Sequence, residues 1–474
     1  MPGQNEDRAA VFEMMPVRLC KPEQLARWRQ GGETSTYKLL RTQFDLEDFI
    51  SCSHRMAIWR ENNTLTYVTP YGSNELPEQE FLTLKLRDKG ATLRITGRTH
   101  EAISQTAALF LNLVKPIVES DLLSVDASNR CFDFRAAQSE CLSRIFEAAP
   151  TRHVRFQNLK LSAQQSITLA TRPHVVHLTF SNCELEDEGT AFLDYLEKRT
   201  TLFGTVRFIN ITGLNRDNLQ RLLQLDMIER LCIHCLEDEG ILPFSTKAKY
   251  LDYDISSSSL LKADLNSLHN VPSKLALSIE HESDDFPTEP VVALFRRIAA
   301  MGHFEELKIS FCFYDNYGYI PGCVVQSLIQ AAIGNINLQV LDLSTDAGDL
   351  KWDSHVGALL QGLKDHINLR VLQLSVPDTS FGPDFADLRQ LLTHNCNIIV
   401  TREDGSIYSD GGLVDELYSL NRFVRCCSDL AVKPTSERLL LVTTALMGRA
   451  LNDFQCSSLL LSKHADLLCE YEIY

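Results

Sequence analysis

Basic residues are in deficit. The chain carries 46 Lys and Arg against 62 Asp and Glu, a formal charge of −16 over 474 residues. That balance argues against nucleic acid or an anionic membrane as the main partner, because both demand compensating Lys and Arg. Cysteine is sparse: 14 residues are too few for a disulfide-stapled secreted domain. Cys141, Cys183 and Cys456 stand in or beside apolar runs, where Cys behaves as a small hydrophobe. Long apolar runs are missing too. The most apolar, Thr106 to Val114, falls short of the roughly 20 residues that span a bilayer. Met1 to Met15 is polar and charged, with no apolar signal core behind it. The expectation is a reduced, cytoplasmic protein with no membrane partner, in which the sequons at Asn62 and Asn210 carry no sugar.

Catalytic signatures are also lacking. There is no phosphate-binding G-x-x-x-x-G-K-[ST], no G-x-G-x-x-G, no G-x-S-x-G and no H-E-x-x-H. Cys232-Ile233-His234-Cys235 supplies one C-x-x-C, but zinc needs four ligands and no second pair follows at suitable spacing. Cys52 and His54 offer a nucleophile and a base without an evident orienting group. Asp252 and Asp254 flank Tyr253 on one face of an expected strand, a pattern read as a solvated or salt-bridged face. A cation site or acid–base pair is the sharper alternative. His281, in the acidic run Glu280 to Asp285, reads as exposed. No catalytic residue, cofactor or metal is expected.

What is present is periodic. Apolar pairs of the form L-x-L recur at Val154/Phe156, Leu178/Phe180, Val206/Phe208, Leu231/Ile233, Leu251/Tyr253, Leu275/Leu277, Leu307/Ile309, Leu341/Leu343 and Leu372/Leu374. Each alternates as a short strand must, with one face in and one out. The steps between pairs run 24, 28, 25, 20, 24, 32, 34 and 31, a mean of about 27. The second half of a unit reads as helix. Val325, Leu328, Ile329 and Ala332, and again Val356, Leu359, Leu360 and Leu363, follow the i, i+3, i+4, i+7 rule. Phe385, Leu388, Leu391 and Leu392 repeat it with one position shifted. Two of these helices are followed by the same phrase, I-N-L-x-V-L-x-L-S, at Ile336 to Ser344 and at Ile367 to Ser375.

Val175-x-x-Leu178-x-Phe180-x-x-Cys183-x-Leu185 fits the leucine-rich template L-x-x-L-x-L-x-x-N/C-x-L, with Val and Phe standing for Leu. It runs on into Glu186-Asp187-Glu188-Gly189 and a helix bearing Phe192, Leu193 and Leu196. The phrase LEDEG returns at Leu236 to Gly240. On these residues the sequence resembles the leucine-rich repeats of the ribonuclease-inhibitor type, from about Cys131 to Val400. The resemblance implies an α/β solenoid, a horseshoe of parallel inner strands and outer helices. Strands stack about 4.8 Å apart and helices need about 10 Å, so such an array curves with its strands inside. The helical half is weak from Leu251 to Ser278.

Residues 1–125 do not repeat and read as a small α/β N-terminal flanking region. Its strands are expected at Phe81–Leu86 and Ala91–Ile95 about a turn Arg87–Gly90, with Thr64–Val68 beside them and a helix from His100. An earlier repeat beginning at Leu93/Ile95 is the alternative. Residues 126–402 form the array. Residues 403–474 are expected to be a helical C-terminal cap with helices near Leu413–Cys427, Glu437–Leu451 and Ser457–Glu470.

In the array, the residues flanking each apolar pair face away from the helices. They include the candidate partner surface: His153, Arg155, His177, Arg207, Arg230, His234, Lys274 and Lys308. The expected function is a non-enzymatic protein–protein interaction scaffold engaging an acidic or phosphorylated segment on the concave face. The alternative is an enzyme or ubiquitin-ligase-type adaptor whose active or recruiting part lies in residues 1–125, with the repeats as substrate receptor. An adaptor would want an L-P helix pair near the N-terminus, which Met15-Pro16 and Leu19 to Arg29 do not supply.

Overall fold

Alternation of apolar and polar residues produces short strands, and the 3.6-residue rows between them produce helices that cover one face. In the computed structural model this yields a mostly parallel, repeating α/β architecture. The structure describes residues 12–14, 35–39, 56–70, 81–86, 91–111, 122–128, 132–148, 152–210, 213–236, 240–268, 272–281, 286–313, 320–344, 352–447 and 454–469. The expected turn Arg87–Gly90, the Cys52/His54 pair, the Leu19 to Arg29 segment, the acidic core of the second LEDEG, and the acidic runs at 282–285 and 346–349 lie outside them. The chain divides into two compact units. One comprises Met1–Cys235, Leu242–Tyr253 and Asn270–Pro272, and the other Leu236–Ile241, Asp254–His269 and Ser273–Tyr474.

The first unit opens with β1 (Phe12–Met14), β2 (Ser35–Leu39), β3 (Met56–Trp59), β4 (Leu65–Pro70), β5 (Phe81–Leu86) and β6 (Ala91–Thr96). β3, β4, β6 and β5 pair antiparallel in that order. Leu93 and Ile95 therefore belong to a hairpin and not to a repeat strand. Helix α1 (His100–Leu111) packs on β5 and β6. β7 (Leu122–Ala127) pairs antiparallel with β5 and parallel with β9 (His153–Gln157), so it joins the hairpins to the repeats. It carries an apolar pair of its own, Leu123 and Val125, both buried.

From there each unit of sequence adds one parallel strand. β11 (Val176–Ser181), β13 (Gly204–Ile209), β14 (Ile228–Ile233) and β15 (Tyr250–Ser256) continue the ladder. Three short strands, β8 (Phe132–Asp133), β10 (Leu159–Leu161) and β12 (Glu184–Leu185), make a second parallel sheet. Helices α2 (Ser139–Ala148), α3 (Ala163–Ala170), α4 (Thr190–Leu196) and α5 (Arg216–Leu223) pack each on the next. The apolar pairs point at this helical layer and are buried throughout. Phe156, Phe180 and Phe208 stand in register, with ring centroids 6.0 and 5.2 Å apart, and Phe192 of α4 meets Phe180 edge-on at 5.8 Å.

The strands end on a shared device. Asn158, Asn182 and Asn210 each take a positive φ, of 61°, 50° and 57°. Asn tolerates this left-handed region better than other side chains. The amide N–H of Asn158 donates to Ser181 O at 2.9 Å, and that of Asn182 to Ile209 O at 3.0 Å. Each turn is thereby tied to the next repeat. The Asn210 side chain donates to Asn182 Oδ1 at 2.8 Å, which gives the residue of that sequon a structural role. Gly189, at φ 85°, starts α4. A Cβ there would lie 2.2 Å from Leu214 Cδ2, and Asp187 receives the N–H groups of Gly189 and Ala191. That is the role of the first LEDEG.

In the second unit, α6 (Ser257–Lys262) is a single short helix, as the weak pattern after Leu251 implies. β16 (Lys274–His281), α7 (Thr288–Met301), β17 (Glu306–Phe313), α8 (Gly322–Gly334), β18 (Val340–Asp342), α9 (Val356–Leu363), β19 (Val371–Gln373), α10 (Ala386–His394) and β20 (Ile399–Thr401) alternate, and their strands pair parallel. The apolar rows of α8 and α9 are buried as their spacing requires. Both copies of the repeated phrase begin at a helix end. Asn335 donates to Ile298 O and Ala331 O and accepts from Phe304 N–H. His366 and Asn395 occupy the same position in the next two repeats. Helices α11 (Leu413–Ala431), α12 (Thr435–Met447), α13 (Phe454–Lys463) and α14 (Ala465–Cys469) follow, with Cys427, Val442, Leu460 and Leu467 as a small core.

Candidate functional site

Because side chains alternate across a strand, burying Val154 and Phe156 against helices turns His153, Arg155 and Gln157 to the other face. The same alternation holds on β13. Register then assembles a row across seven strands. Lys85 stands beside Ser124, Ser124 beside Arg155, Arg155 beside Thr179, Thr179 beside Arg207, Arg207 beside Cys232, and Cys232 beside Asp252. Long cations alternate with small residues. Ser124, Thr179 and Cys232 are only 8%, 3% and 3% exposed, although they lie on the face away from the core.

Asp252 anchors one end. Its Oδ2 accepts from Arg207 Nη2 at 3.0 Å and from Arg230 Nη2 at 2.7 Å, and Cys232 Sγ lies 3.4 Å from the same oxygen. Arg230 also lies over the Tyr250 ring, 4.4 Å from its centroid. Two guanidiniums share one carboxylate, so the group keeps a net positive charge. This bears out the salt-bridged reading of Asp252. Arg155 makes no ion pair among the described residues, and its buried Nε has no hydrogen-bond partner there. Lys85 reaches Asp126 Oδ2 at 3.2 Å.

His153 and His177 add polarity and little charge. Burial, then His177, Arg207 and Arg155, push His153 down to about 4, and its Nε2 lies 2.7 Å from Thr179 Oγ1. Burial lowers His177 as well, against the opposing Glu229, and its Nδ1 lies 3.0 Å from Thr205 Oγ1. His234 follows β14, where its N–H donates to Phe208 O at 3.0 Å. Burial and then Asp252 push the Cys232 thiol up to about 11, and burial takes Cys141 and Cys183 to about 12. These thiols stay protonated and behave as apolar groups.

Six of the eight residues expected at a partner surface thus belong to the first unit: His153, Arg155, His177, Arg207, Arg230 and His234. Lys274 and Lys308 belong to the second, where the neighbouring strand supplies each with an acid in register. Lys274 Nζ lies 3.6 Å from Glu306 and Lys308 Nζ 3.2 Å from Asp342. Both are spoken for. His281 corrects the sequence reading: it ends β16 half-buried, with Nδ1 2.6 Å from Ser257 Oγ. Lys85 is the residue that sequence reasoning missed. The alternation in Phe81–Leu86 places it on the polar side, but only the pairing of β5 with β7 brings it into the row. Compared with known proteins, the sequence matches no family model and no curated protein.

Proposed function

We propose that the chain is a non-enzymatic interaction scaffold of leucine-rich-repeat character, similar to the ribonuclease-inhibitor type. On this reading it binds an anionic segment of a protein partner on the polar strand face of the first unit. The observation that carries the reading is the row itself: Arg155 and Arg207 stand in register two parallel strands apart, Arg230 lies on the strand beside Arg207, and all three are half-exposed with one carboxylate among three guanidiniums. Guanidiniums bind carboxylates and phosphates through paired, charge-assisted hydrogen bonds. Parallel strands joined through helices leave this face broad and open, which suits a polypeptide better than a small molecule. The overall charge of −16 favours a peptide over nucleic acid, whose phosphates the rest of the surface would repel.

The test is affinity capture at low and high salt with the native chain and with a variant in which Arg155, Arg207 and Arg230 are all replaced by Glu. Circular dichroism confirms that the variant is folded. Partners bound by the native chain at low salt and lost both by the variant and at high salt support the reading. Partners retained by the folded variant overturn it.

A further inference from the structure

The cations in the row are spaced by the sheet. Lys85, Arg155 and Arg207 each lie two strands from the next, with Ser124 and Thr179 between them. Neighbouring strands are about 4.8 Å apart, so the cations recur about every 9.5 Å along a line perpendicular to the strands. A ligand crossing the strands along this line meets positive charge at that interval and small, buried residues in between.

Few peptide conformations present anionic side chains on one side at that interval. In a β-strand, residues two apart share a face at about 6.7 Å, and residues three apart point opposite ways. An α-helix returns to the same face at a comparable distance only after seven residues, about 10.5 Å. A polyproline II helix has three residues per turn and advances about 9.3 Å in that turn. It places every third side chain on one face at nearly the interval of two strands. It also has little conformational freedom to lose on docking.

We infer that the strand face of the first unit recognises an extended, polyproline-II-like segment carrying an anionic side chain at every third position. One anion pairs with Arg155 and the next with the Arg207–Arg230 pair, and Lys85 takes a weaker third. The middle position is the strongest, because Arg155 has no ion pair among the described residues, whereas Lys85 shares Asp126 and Arg207 shares Asp252. The inference rests on the proposed function and adds a spacing rule to it.

Fluorescence anisotropy with labelled Pro- and Ala-rich peptides tests it. Each peptide carries three glutamates at every second, every third, every fourth or every seventh position, and a parallel set carries phosphoserine instead. The every-third peptide is expected to bind about fivefold tighter than any isomer of equal charge. Arg155→Gln should weaken it about tenfold, and Lys85→Gln about twofold to threefold. The glutamate and phosphoserine sets show whether carboxylate or phosphate is the preferred anion. Equal affinities for all spacings, or preference for another spacing, overturn the inference while leaving the anionic-segment reading intact. Binding of none of the peptides overturns both.

Discussion

Arg207 reaches over Cys232 to a carboxylate two strands away, placing Nη2 3.0 Å from Asp252 Oδ2. The same oxygen holds Arg230 at 2.7 Å. One acidic residue therefore orders two cations, and the arginine stems close over the thiol below. One carboxylate thus holds both guanidiniums in place and offsets one of their two charges.

Asp252→Asn separates these effects. The ion pairs are partly exposed, so the loss of stability should be under about 1 kcal/mol. Affinity for an anionic peptide should rise, because a like charge has left the site. The Cys232 thiol, held near 11 by burial first and Asp252 second, should titrate lower. Peptide-resolved alkylation against pH reads this directly. An unchanged Cys232 profile would mean that Asp252 does not act on that thiol.

The asparagines that end β9, β11 and β13 make a second prediction. At φ 50°, Asn182→Ala keeps a Cβ in the left-handed region without the short polar side chain that lets Asn tolerate it, whereas Asn182→Gly removes the Cβ and relieves the backbone, a difference of about 1–2 kcal/mol. Chemical denaturation should place the Ala variant clearly below the Gly variant. Equal midpoints would remove the conformational argument.

His366 makes a third. Leu369 N–H donates to its Nδ1 at 3.0 Å, so Nε2 carries the proton and donates to Ala332 O at 3.1 Å and Asn335 O at 3.2 Å. Asn335 and Asn395 reach back in the same way to Ile298 O and His366 O of the repeats before them. His366→Asn should therefore be tolerated, and His366→Ala should cost about 1–3 kcal/mol by stranding buried backbone groups. Thermal unfolding of the two variants checks the difference. Equal losses would deny the clamp its chemistry.

The apolar pairs were legible because burial against a helix imposes a two-residue period on Val154/Phe156 and its successors, and nothing else in a strand does. The I-N-L phrase was legible as a repeat, but its meaning was not. Ile336 and Ile367 are largely exposed, while Asn368 donates to Ile336 O at 2.7 Å in the preceding repeat. A hydrogen bond from one repeat to the previous leaves a recurring spacing in the sequence and no hydropathy signal. The F-x-N endings at Asn158, Asn182 and Asn210 were readable in principle by the same spacing. Arg155, Arg207 and Arg230 followed from strand polarity alone. Lys85 did not, because its place depends on the antiparallel pairing of β5 with β7, and a period-two pattern is silent about which strands become neighbours. The pairing of Lys274 with Glu306 and of Lys308 with Asp342 is likewise a matter of register.

The last prediction concerns acid. His153 titrates at about 4 in the folded chain, because burial first, and then His177, Arg207 and Arg155, oppose its charge, against about 6.5 for a free imidazole. Between those values the unfolded chain binds a proton that the native chain refuses. Stability is therefore fully present above about pH 6.5 and falls as pH drops towards 4, and His177 shifts in the same direction. His153→Gln should flatten that acid limb in denaturation profiles taken across this range. The imidazole midpoint itself is measurable by NMR, and a value near 6.5 would contradict the burial argument. An anionic group bound beside Arg155 and Arg207 would offset two of the three charges that depress His153. Its midpoint should then climb when an acidic peptide binds and stay put when a neutral one is added, so the same resonance reports occupancy of the row.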